Sequence, residues 1–323
     1  MKQLRWGVLG TGNIVAKGGQ GIQQADYSEW VGVAGRTAEN SRRCASQFGV
    51  PKAYDGYREL LADPEIDAVY IALLNHIHKE WAIEAIRSGK HVLMEKPFAL
   101  NAQDAGEIVE EAIRHGVHVE EAFVTRHQEG HRFAQQAVMK GEIGEPVFFN
   151  GRFTLQLRED STRLKAEWGG GALYDIGCYL VNWSRKQFRE EPEWAEARFQ
   201  RQGQGDIDRR FAGMLAFPGG GTAQLQAAFD MPYGCGYELL GTRGSVALWQ
   251  YSDASTLTLQ VTVNGEQHNF TTDRVTPFRL QAEAFARQVL EGRCTADGGQ
   301  DIMAQARTMD ALFASDAGRR RLV

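Results

Sequence analysis

The stretch His91-Val-Leu-Met-Glu-Lys-Pro97 reads as a short apolar strand that ends in a carboxylate, an ammonium group and a proline. In an open parallel sheet, ligands bind beyond the carboxyl ends of the strands, so a charged pair at such an end faces a binding site. Proline stops strand pairing and fixes the backbone, which holds Lys96 in one place. The alternative is a surface ion pair at a strand end, which contributes little. The rest of the chain decides between the two.

Strand-like and helix-like segments alternate around this stretch. The strand candidates are residues 4–9, 30–34, 68–73, 92–94 and 117–119, and the helix candidates are residues 38–48, 79–88 and 101–115. Such alternation predicts a doubly wound parallel sheet. The continuously apolar run 68–74 fits a strand that is buried on both faces. We therefore predict an α/β chain with an N-terminal Rossmann domain.

A glycine-rich turn, Gly10-Thr-Gly12-Asn-Ile-Val15, follows the first strand. Glycine at positions 10 and 12 permits a tight turn and lets a pyrophosphate approach the backbone at a helix N-terminus. Val15 stands where glycine or alanine would pack the helix closest to the sheet, so the fingerprint is incomplete and an ordinary strand-turn-helix is the alternative. The predicted cofactor contacts in this turn are Gly10, Gly12, Asn13 and Ile14.

The end of the second strand bears on the choice of cofactor. An NAD site usually has Asp or Glu there, on the ribose hydroxyls. The residues here are Gly35-Arg36-Thr37, with a guanidinium that suits a 2′-phosphate and no carboxylate to repel it. We therefore favour NADP(H) over NAD(H), with Arg36 and Thr37 as contacts. The alternative is that Arg36 stacks on the adenine or is solvated, and then either cofactor would serve.

Two more strand ends complete the predicted cofactor site. Asn75-His-Ile-His78 follows the third strand candidate and suits contacts with the nicotinamide-side ribose and phosphates. A His-x-His pair also suggests a metal, as does His127-Gln-Glu-Gly-His131, but a third ligand is lacking and Gln128 stands where a zincin has glutamate. We predict no metal site. The predicted cofactor contacts at these strand ends are Leu73, Asn75, His78, Glu95 and Lys96.

From Glu145 onward the sequence changes to alternating segments typical of a large open, mainly antiparallel sheet. The strand candidates are residues 146–157, 210–217, 222–229, 237–240, 245–249 and 256–263, with a hairpin turn at Asn264-Gly265. Two helices are expected near the C-terminus, at 278–290 and 301–314. We predict a dinucleotide-binding domain over residues 1–122 and a substrate-binding and dimerisation domain over residues 123–323.

The segment Trp168-Gly-Gly-Gly-Ala-Leu-Tyr-Asp175-Ile-Gly-Cys-Tyr179 carries the second group of candidate residues. Three glycines let the backbone approach a ligand, and Asp175 and Tyr179 share one face of the helix that follows. A neighbouring ammonium would lower the pKa of a phenol, and Lys96 would supply it if the domains close over a cleft. The alternative is a helix N-terminus with a stabilising Asp and a core Tyr. Candidate substrate contacts are Arg126, Arg163 and Trp168.

Composition excludes several classes of function. The chain has 323 residues, 43% hydrophobic and 24% charged, which is typical of a globular protein with two domains. Its net charge of −5 gives no basic footprint for nucleic acid, and we see neither a membrane helix nor a signal peptide. The four cysteines lack CxxC spacing, which suits reduced thiols in a cytoplasm.

Taken together, Gly10-Thr-Gly12, Glu95-Lys96-Pro97, Glu121-Ala-Phe123 with Arg126, and the segment from Gly169 to Tyr179 resemble the glucose-fructose oxidoreductase / inositol dehydrogenase (Gfo/Idh/MocA) family. The resemblance covers essentially the full length. It implies an N-terminal Rossmann domain and a C-terminal domain whose open sheet often forms a dimer interface, so a homodimer or homotetramer is expected. It also implies NAD(P)-dependent oxidation of a sugar or cyclic polyol hydroxyl, or reduction of the matching carbonyl.

The resemblance assigns roles to three residues. Lys96 is similar to the family's catalytic lysine, and its bond to Pro97 is expected to be cis. Tyr179 takes the position of the proton donor and acceptor, as in the branch with dihydrodiol dehydrogenase and NADP-dependent xylose dehydrogenase, and Asp175 takes that of the substrate-binding acid. Val15, Leu73-Leu74 and Val124 depart from the family pattern. A non-catalytic NADP-binding sensor of the same fold is the alternative function.

Overall fold

A computed structural model describes residues 3–201, 207–253, 255–292 and 296–316, without the side chains of residues 296–298. The chain forms two compact units. The first unit runs up to His127 and also contains Arg274–Met303, and the second contains Gln128–Asp273 and the chain from Ala304 onward. The assignment of cofactor binding to residues 1–122 and of substrate binding to residues 123–323 stays a prediction.

The first unit contains a six-stranded parallel sheet, which confirms the predicted Rossmann architecture. The strand order is β3-β2-β1-β4-β5-β6. The order reverses direction between β1 and β4, and the crevice beyond the carboxyl ends at such a point is where ligands of doubly wound sheets bind. The strands are β1 (Leu4–Leu9), β2 (Ser28–Ala34), β3 (Lys52–Tyr54), β4 (Ala68–Ile71), β5 (His91–Met94) and β6 (Val119–Glu121).

The helices agree with the sequence prediction where local signals are strong. Helix α5 has the predicted caps: the Asn101 side chain accepts a hydrogen bond from the Asp104 N–H at 2.7 Å, and Gly116 ends the helix with a φ of 65°. In chain order the helices are α1 (Val15–Gln24), α2 (Ala38–Phe48), α3 (Tyr57–Ala62), α4 (His78–Arg87), α5 (Ala102–His115), α6 (Glu129–Met139), α7 (Cys178–Phe188), α8 (Thr276–Leu290) and α9 (Ala296–Ser315).

Helix α1 lies unusually close to the strands beneath it. A Cβ at Gly18 would lie 2.4 Å from the Tyr70 ring, and one at Gly19 would lie 2.4 Å from the Trp30 ring. The close helix-to-strand packing that the nucleotide-binding fingerprint assigns to its third glycine is therefore provided by Gly18 and Gly19. Val15, at the fingerprint position, is simply buried in the core.

The second unit contains an eight-stranded sheet in the order β14-β13-β12-β11-β7-β10-β9-β8. Its pairs are antiparallel except for β7 and β10, which run parallel. The sheet is therefore mixed, although mainly antiparallel as predicted. The strands are β7 (Pro146–Gln156), β8 (Trp194–Arg201), β9 (Asp208–Ala216), β10 (Thr222–Ala228), β11 (Asp230–Gly241), β12 (Ser245–Ser252), β13 (Thr256–Val263) and β14 (Glu266–Asp273).

The two faces of this sheet differ. Helix α6 contacts β12 and β13, helix α7 contacts β7 and β10, and Phe313 near the end of α9 stacks on Phe199 of β8 with ring centroids 5.1 Å apart. Large apolar side chains elsewhere on the sheet stay accessible, among them Phe148 (53%), Trp194 (46%) and Tyr251 (55%). One side of the sheet thus forms the core of the unit.

Two further observations concern the rest of the chain. Within the described residues, no helix combines the length and the apolar character needed to cross a membrane. Cys44, Cys178 and Cys235 are buried free thiols, and Cys294 lies outside the described residues.

Candidate active site

The turn after β1 leaves room for a ligand at the N-terminus of α1. Gly10 has a φ of 118°, and a Cβ there would lie 2.4 Å from the carbonyl oxygen of Ala72. Apart from Gly12 itself and its two chain neighbours, no described atom lies within 4 Å of the position that a Cβ would take at Gly12. Gly12 and Asn13 are exposed, Ile14 is half-buried, and the first turn of α1 contains no acidic residue. A helix N-terminus of this kind attracts an anion, so the turn suits a pyrophosphate.

The segment after β2 is held by short polar contacts that leave Arg36 exposed. The Thr37 hydroxyl caps α2 by accepting a hydrogen bond from the Asn40 N–H at 3.3 Å. The Ser41 hydroxyl accepts a hydrogen bond from the Gly35 N–H at 2.8 Å. The backbone on either side of Arg36 is therefore fixed, while its guanidinium is accessible to a ligand.

Lys96 follows β5 in a turn that is held from two sides. The Lys96–Pro97 peptide bond is cis, as the family resemblance implied. The Phe98 N–H donates a hydrogen bond to the buried Glu121 carboxylate at 2.9 Å. On the other side, Nδ1 of His78 lies 2.9 Å from the Pro97 carbonyl oxygen. The backbone that carries Lys96 is thus anchored to both β6 and α4.

His78, a predicted cofactor contact, holds the turn after β5 through its ring. Its side chain is fully buried, and its second ring nitrogen, Nε2, lies 3.2 Å from the Leu73 carbonyl oxygen. Burial, helped by the nearby Lys96 ammonium, lowers the pKa of His78 to about 4, so the ring is neutral near pH 7. The ring connects the ends of β4 and β5, and its predicted role as a cofactor contact stays a prediction.

Glu95 is also connected to the neighbouring strand. The Tyr70 hydroxyl, on β4, donates a hydrogen bond to the Glu95 carboxylate. Tyr70 is the same residue whose ring packs under Gly18 of α1. The carboxyl ends of β1, β2, β4 and β5 lie at one edge of the parallel sheet. This edge brings together most predicted cofactor contacts, namely Gly10, Gly12, Asn13, Ile14, Arg36, Thr37, Leu73, Asn75, Glu95 and Lys96.

In the second unit, two of the three glycines before Asp175 serve contacts within the protein. A Cβ at Gly170 would lie 2.3 Å from the Arg163 carbonyl oxygen. Gly171 has a φ of 128°, and a Cβ there would lie 2.1 Å from Oδ1 of Asp208. Gly170 and Gly171 are thus needed for packing within the protein, and the approach of this backbone to a ligand stays a prediction.

Asp175 lies in a π-helical turn, Leu173–Gly177, that continues directly into α7. Its carboxylate is almost buried, and its Oδ2 lies 3.3 Å from Nε of Arg163. The structure therefore brings together two of the predicted site residues. Tyr179 lies at the start of α7, half-buried, with its ring 5.8 Å from that of Phe153. Because of the wider π turn, the four-residue spacing does not have its ordinary α-helical geometry.

The other predicted residues have separate surroundings. Arg126 forms an ion pair with Asp301 at 2.7 Å and lies over the Phe123 ring. Trp168 ends a 3-10 turn and is half-buried.

The histidines that suggested a metal site are also separated. His131, in α6, is buried against Trp183 of α7. The extended backbone of Gln128 precludes one continuous helix from His127 to His131. In the described part of the chain, no group of three His, Cys, Asp or Glu side chains is arranged to hold a metal ion.

Sequence reasoning missed two supporting residues. Glu121 was noted only as part of a family motif, and its contact with the Phe98 N–H was not expected. Asp208 was not considered at all, although its carboxylate accepts a hydrogen bond from the Leu173 N–H at 2.8 Å. A single acidic residue before an alternating strand gives no local signal of such a role.

Comparisons with known proteins agree with this architecture. Residues 4–123 match the family described as an oxidoreductase family with an NAD-binding Rossmann fold, and residues 131–247 match the GFO/IDH/MocA C-terminal domain. The chain is 36% identical over 302 residues to an uncharacterized oxidoreductase of Rhizobium meliloti, covering 90% of each. It is 30% identical over 318 residues to an NADP⁺-dependent D-xylose 1-dehydrogenase of Haloferax volcanii, covering 97% of each.

A solved structure is similar over nearly the whole chain. It is that of a 3-ketoreductase from Actinomadura kijaniata in complex with NADP and TDP-benzene, with a TM-score of 0.87, 28% identity, and coverage of 97% of this chain and 98% of that one. The predicted fold, family and oxidoreductase class are confirmed. The chain belongs to the Gfo/Idh/MocA family of NAD(P)-binding Rossmann oxidoreductases.

Proposed function

We propose that the protein transfers a hydride reversibly between NADP and a hydroxyl or carbonyl group of a sugar or cyclic polyol. Family membership and the named activities of the xylose dehydrogenase and the ketoreductase support an enzyme over a non-catalytic sensor. The observation that carries the proposal is the turn after β5. There Lys96 lies at the ligand-binding edge of a parallel sheet, and its backbone is anchored by His78 and Glu121.

The residues at this edge suit the parts of the cofactor. The backbone at Gly10, Gly12, Asn13 and Ile14 would hold the pyrophosphate, because it lies at an uncapped helix N-terminus with open space above Gly12. Leu73, Asn75, Glu95 and Lys96 would hold the nicotinamide side. When bound, the nicotinamide supplies the hydride chemistry, and the protein orients the substrate and handles the proton.

We infer NADP rather than NAD from the segment after β2. Arg36 is an exposed guanidinium and Thr37 has its backbone fixed as the cap of α2. A guanidinium binds a phosphate by charge-assisted hydrogen bonds, and the segment has no carboxylate to compete with the 2′-phosphate. The NADP named with the xylose dehydrogenase and with the ketoreductase structure supports this inference.

Two side chains handle the proton in this proposal, and a third orients the substrate. Tyr179 takes the proton from the substrate hydroxyl, and Lys96 favours the phenolate form and donates a hydrogen bond to the reacting oxygen. Asp175 orients the substrate. Its carboxylate is already directed by Arg163, which lies 3.3 Å away and is itself accessible. Trp168 and Arg126 are proposed as further substrate contacts.

The Lys96→Ala variant tests this assignment. Because Lys96 is needed for the proton step and not for holding the phosphates, we expect kcat to fall by about 10³-fold while NADPH binding, followed by fluorescence titration, changes little. The assay is NADPH formation with a panel of aldoses and cyclic diols, starting with D-xylose. Lys140→Ala, which removes an exposed lysine at the end of α6, is the control. Near-normal turnover of Lys96→Ala would exclude the assigned role.

We also propose that the protein is a homodimer or homotetramer. The accessible apolar side chains of the second sheet, such as Phe148, Trp194 and Tyr251, are the kind of surface that a symmetric partner covers. Phe148→Asp should shift the mass measured by light scattering to that of a smaller species. A wild-type mass equal to that of one chain would contradict the proposal.

A further inference from the structure

The helical segment that carries Asp175 and Tyr179 begins next to the carboxylate of Asp208, on strand β9. Asp208, the first residue of β9, is only 6% exposed. Its Oδ2 accepts a hydrogen bond from the N–H of Leu173 at 2.8 Å. Leu173 begins the π-helical turn, and the first N–H groups of a helical segment lack partners within the helix. Asp208 therefore caps this segment from outside it.

Two glycines leave the space that this contact needs. Gly171 has a φ of 128°, and a Cβ there would lie 2.1 Å from Oδ1 of Asp208. Any side chain at this position would both strain the backbone and displace the carboxylate. The preceding Gly170 is similarly required by the nearby Arg163 carbonyl oxygen. The glycines and Asp208 thus form one arrangement that fixes where the helical segment starts.

Among the residues that the structure describes, few charges surround the Asp208 carboxylate. Arg201 lies opposite Asp208 in the β8–β9 register, and it is itself paired with Asp316. On the helical turn, Asp175 is paired with Arg163. Burial outweighs the hydrogen bonds and Arg201, and raises the pKa of Asp208 to about 7. A buried carboxylate is costly to ionise, so its presence under this turn calls for a role.

We propose that Asp208 is a positioning residue that fixes the first turn of the segment 173–188 and thereby orients Asp175 and Tyr179 for the reaction. Asp208 acts through the Leu173 N–H and does not need to contact the substrate. The kinetic consequence rests on the proposed function, whereas the effect on the helical segment does not. Loss of the carboxylate should loosen this segment before any other part of the second unit.

Hydrogen exchange of the whole protein, followed by mass spectrometry, tests the structural step. In Asp208→Ala, exchange over residues 172–180 should become faster by about fivefold, the effect expected from a lost helix cap. Asp208→Asn keeps an oxygen acceptor and should stay close to the wild type. The control is Asp253→Ala, because the Asp253 carboxylate also accepts backbone N–H groups but in the turn before β13. Unchanged exchange over residues 172–180 in Asp208→Ala would overturn the proposal.

Kinetics test the consequence for the reaction. With NADP⁺ and D-xylose, kcat of Asp208→Ala should fall by about 10²-fold, as for a displaced catalytic group, while the KM for NADP⁺ stays within about twofold. Wild-type kcat should titrate near pH 7, and Asp208→Asn should restore most of kcat and lose that titration. A wild type that reduces no NADP⁺ would contradict the proposed function, and exchange would then decide the role of Asp208 alone.

If Asp208→Ala does not fold, Asp208→Asn and the wild type still decide the matter. Exchange over residues 172–180, corrected for the intrinsic effect of pH, should become faster in the wild type as the pH rises towards about 7, because the carboxylate is costlier to ionise under the closed segment than under an opened one. The Asn variant should show no such step. A wild type without the step would overturn the proposal.

Discussion

The turn that carries Lys96 and the helical segment that carries Tyr179 are supported in similar ways but by opposite chemistry. Each is held by a buried ionisable side chain from another element: His78 for the turn and Asp208 for the segment. Burial lowers the pKa of His78 to about 4 and raises that of Asp208 to about 7. Near neutral pH, His78 is therefore almost entirely neutral, whereas Asp208 is partly protonated and partly ionised.

The two supports also change stability with pH in opposite directions. Between pH 4 and its ordinary pKa of 6.5, His78 binds a proton in the unfolded chain but not in the folded one, so stability rises with pH over this window. Between its ordinary pKa of 3.8 and about 7, Asp208 binds a proton in the folded chain but not in the unfolded one, so stability falls as pH rises. Over these pH windows, acidification should therefore lower the free energy of unfolding through His78 and raise it through Asp208.

The largest expected effect comes from removing the phenol hydroxyl in the second region. Tyr179→Phe should lower kcat by about 10³-fold because the proposed general base is lost, with the packing against Phe153 kept. Turnover is measured as NADPH formation. Tyr251→Phe, on β12 and mostly exposed, is the matched control. If Tyr179→Phe and Tyr251→Phe were equally active, the Tyr179 hydroxyl would have no part in catalysis.

An intermediate effect, on the pH dependence of stability, is expected from His78→Gln, which removes the ring that holds the Lys96 turn. Removing the titrating group should abolish its share of the pH dependence, which amounts to about 3 kcal/mol between pH 6.5 and 4. The free energy of unfolding of the variant should therefore fall less on acidification than that of the wild type. Urea unfolding at several pH values measures this. The exposed His76→Gln variant is the control, and identical curves for all three proteins would refute the assignment.

The smallest effect is expected at Arg36, which follows β2 in the first unit. Arg36→Ala should raise the KM for NADP⁺ by about tenfold, the worth of a charge-assisted hydrogen bond to the 2′-phosphate, and leave the KM for NAD⁺ unchanged. The exposed Arg58→Ala, on α3, is the control. An equal change with both cofactors would show that Arg36 contacts a part that NAD and NADP share.

Sequence signals predicted the elements that depend on local chemistry. The β1–glycine turn–α1 unit and the caps of α5 follow from residues close together in the chain, and they were predicted correctly. Strands β8 and β14 were missed for a common reason. Both are edge strands, and most of their side chains are accessible, so the apolar alternation that marks a strand is weak.

Other features depend on contacts between distant parts of the chain. The parallel pairing of β7 with β10 and the contact of Asp208 with Leu173 could not be derived from any local pattern. For His78, the sequence indicated a residue at an important strand end, but burial decides its task, and burial of one side chain is a tertiary property. The cis peptide bond at Pro97 came from family resemblance and not from the residues themselves.

Gly18 and Gly19 change how a nucleotide-binding fingerprint is best searched for. Each glycine lies where α1 crosses a large ring, Tyr70 on β4 or Trp30 on β2. The requirement therefore belongs to a pair of positions, a small one on the helix and a bulky one on the strand below, rather than to a fixed spacing. A search pattern that links the two would retrieve chains that a rigid three-glycine pattern rejects.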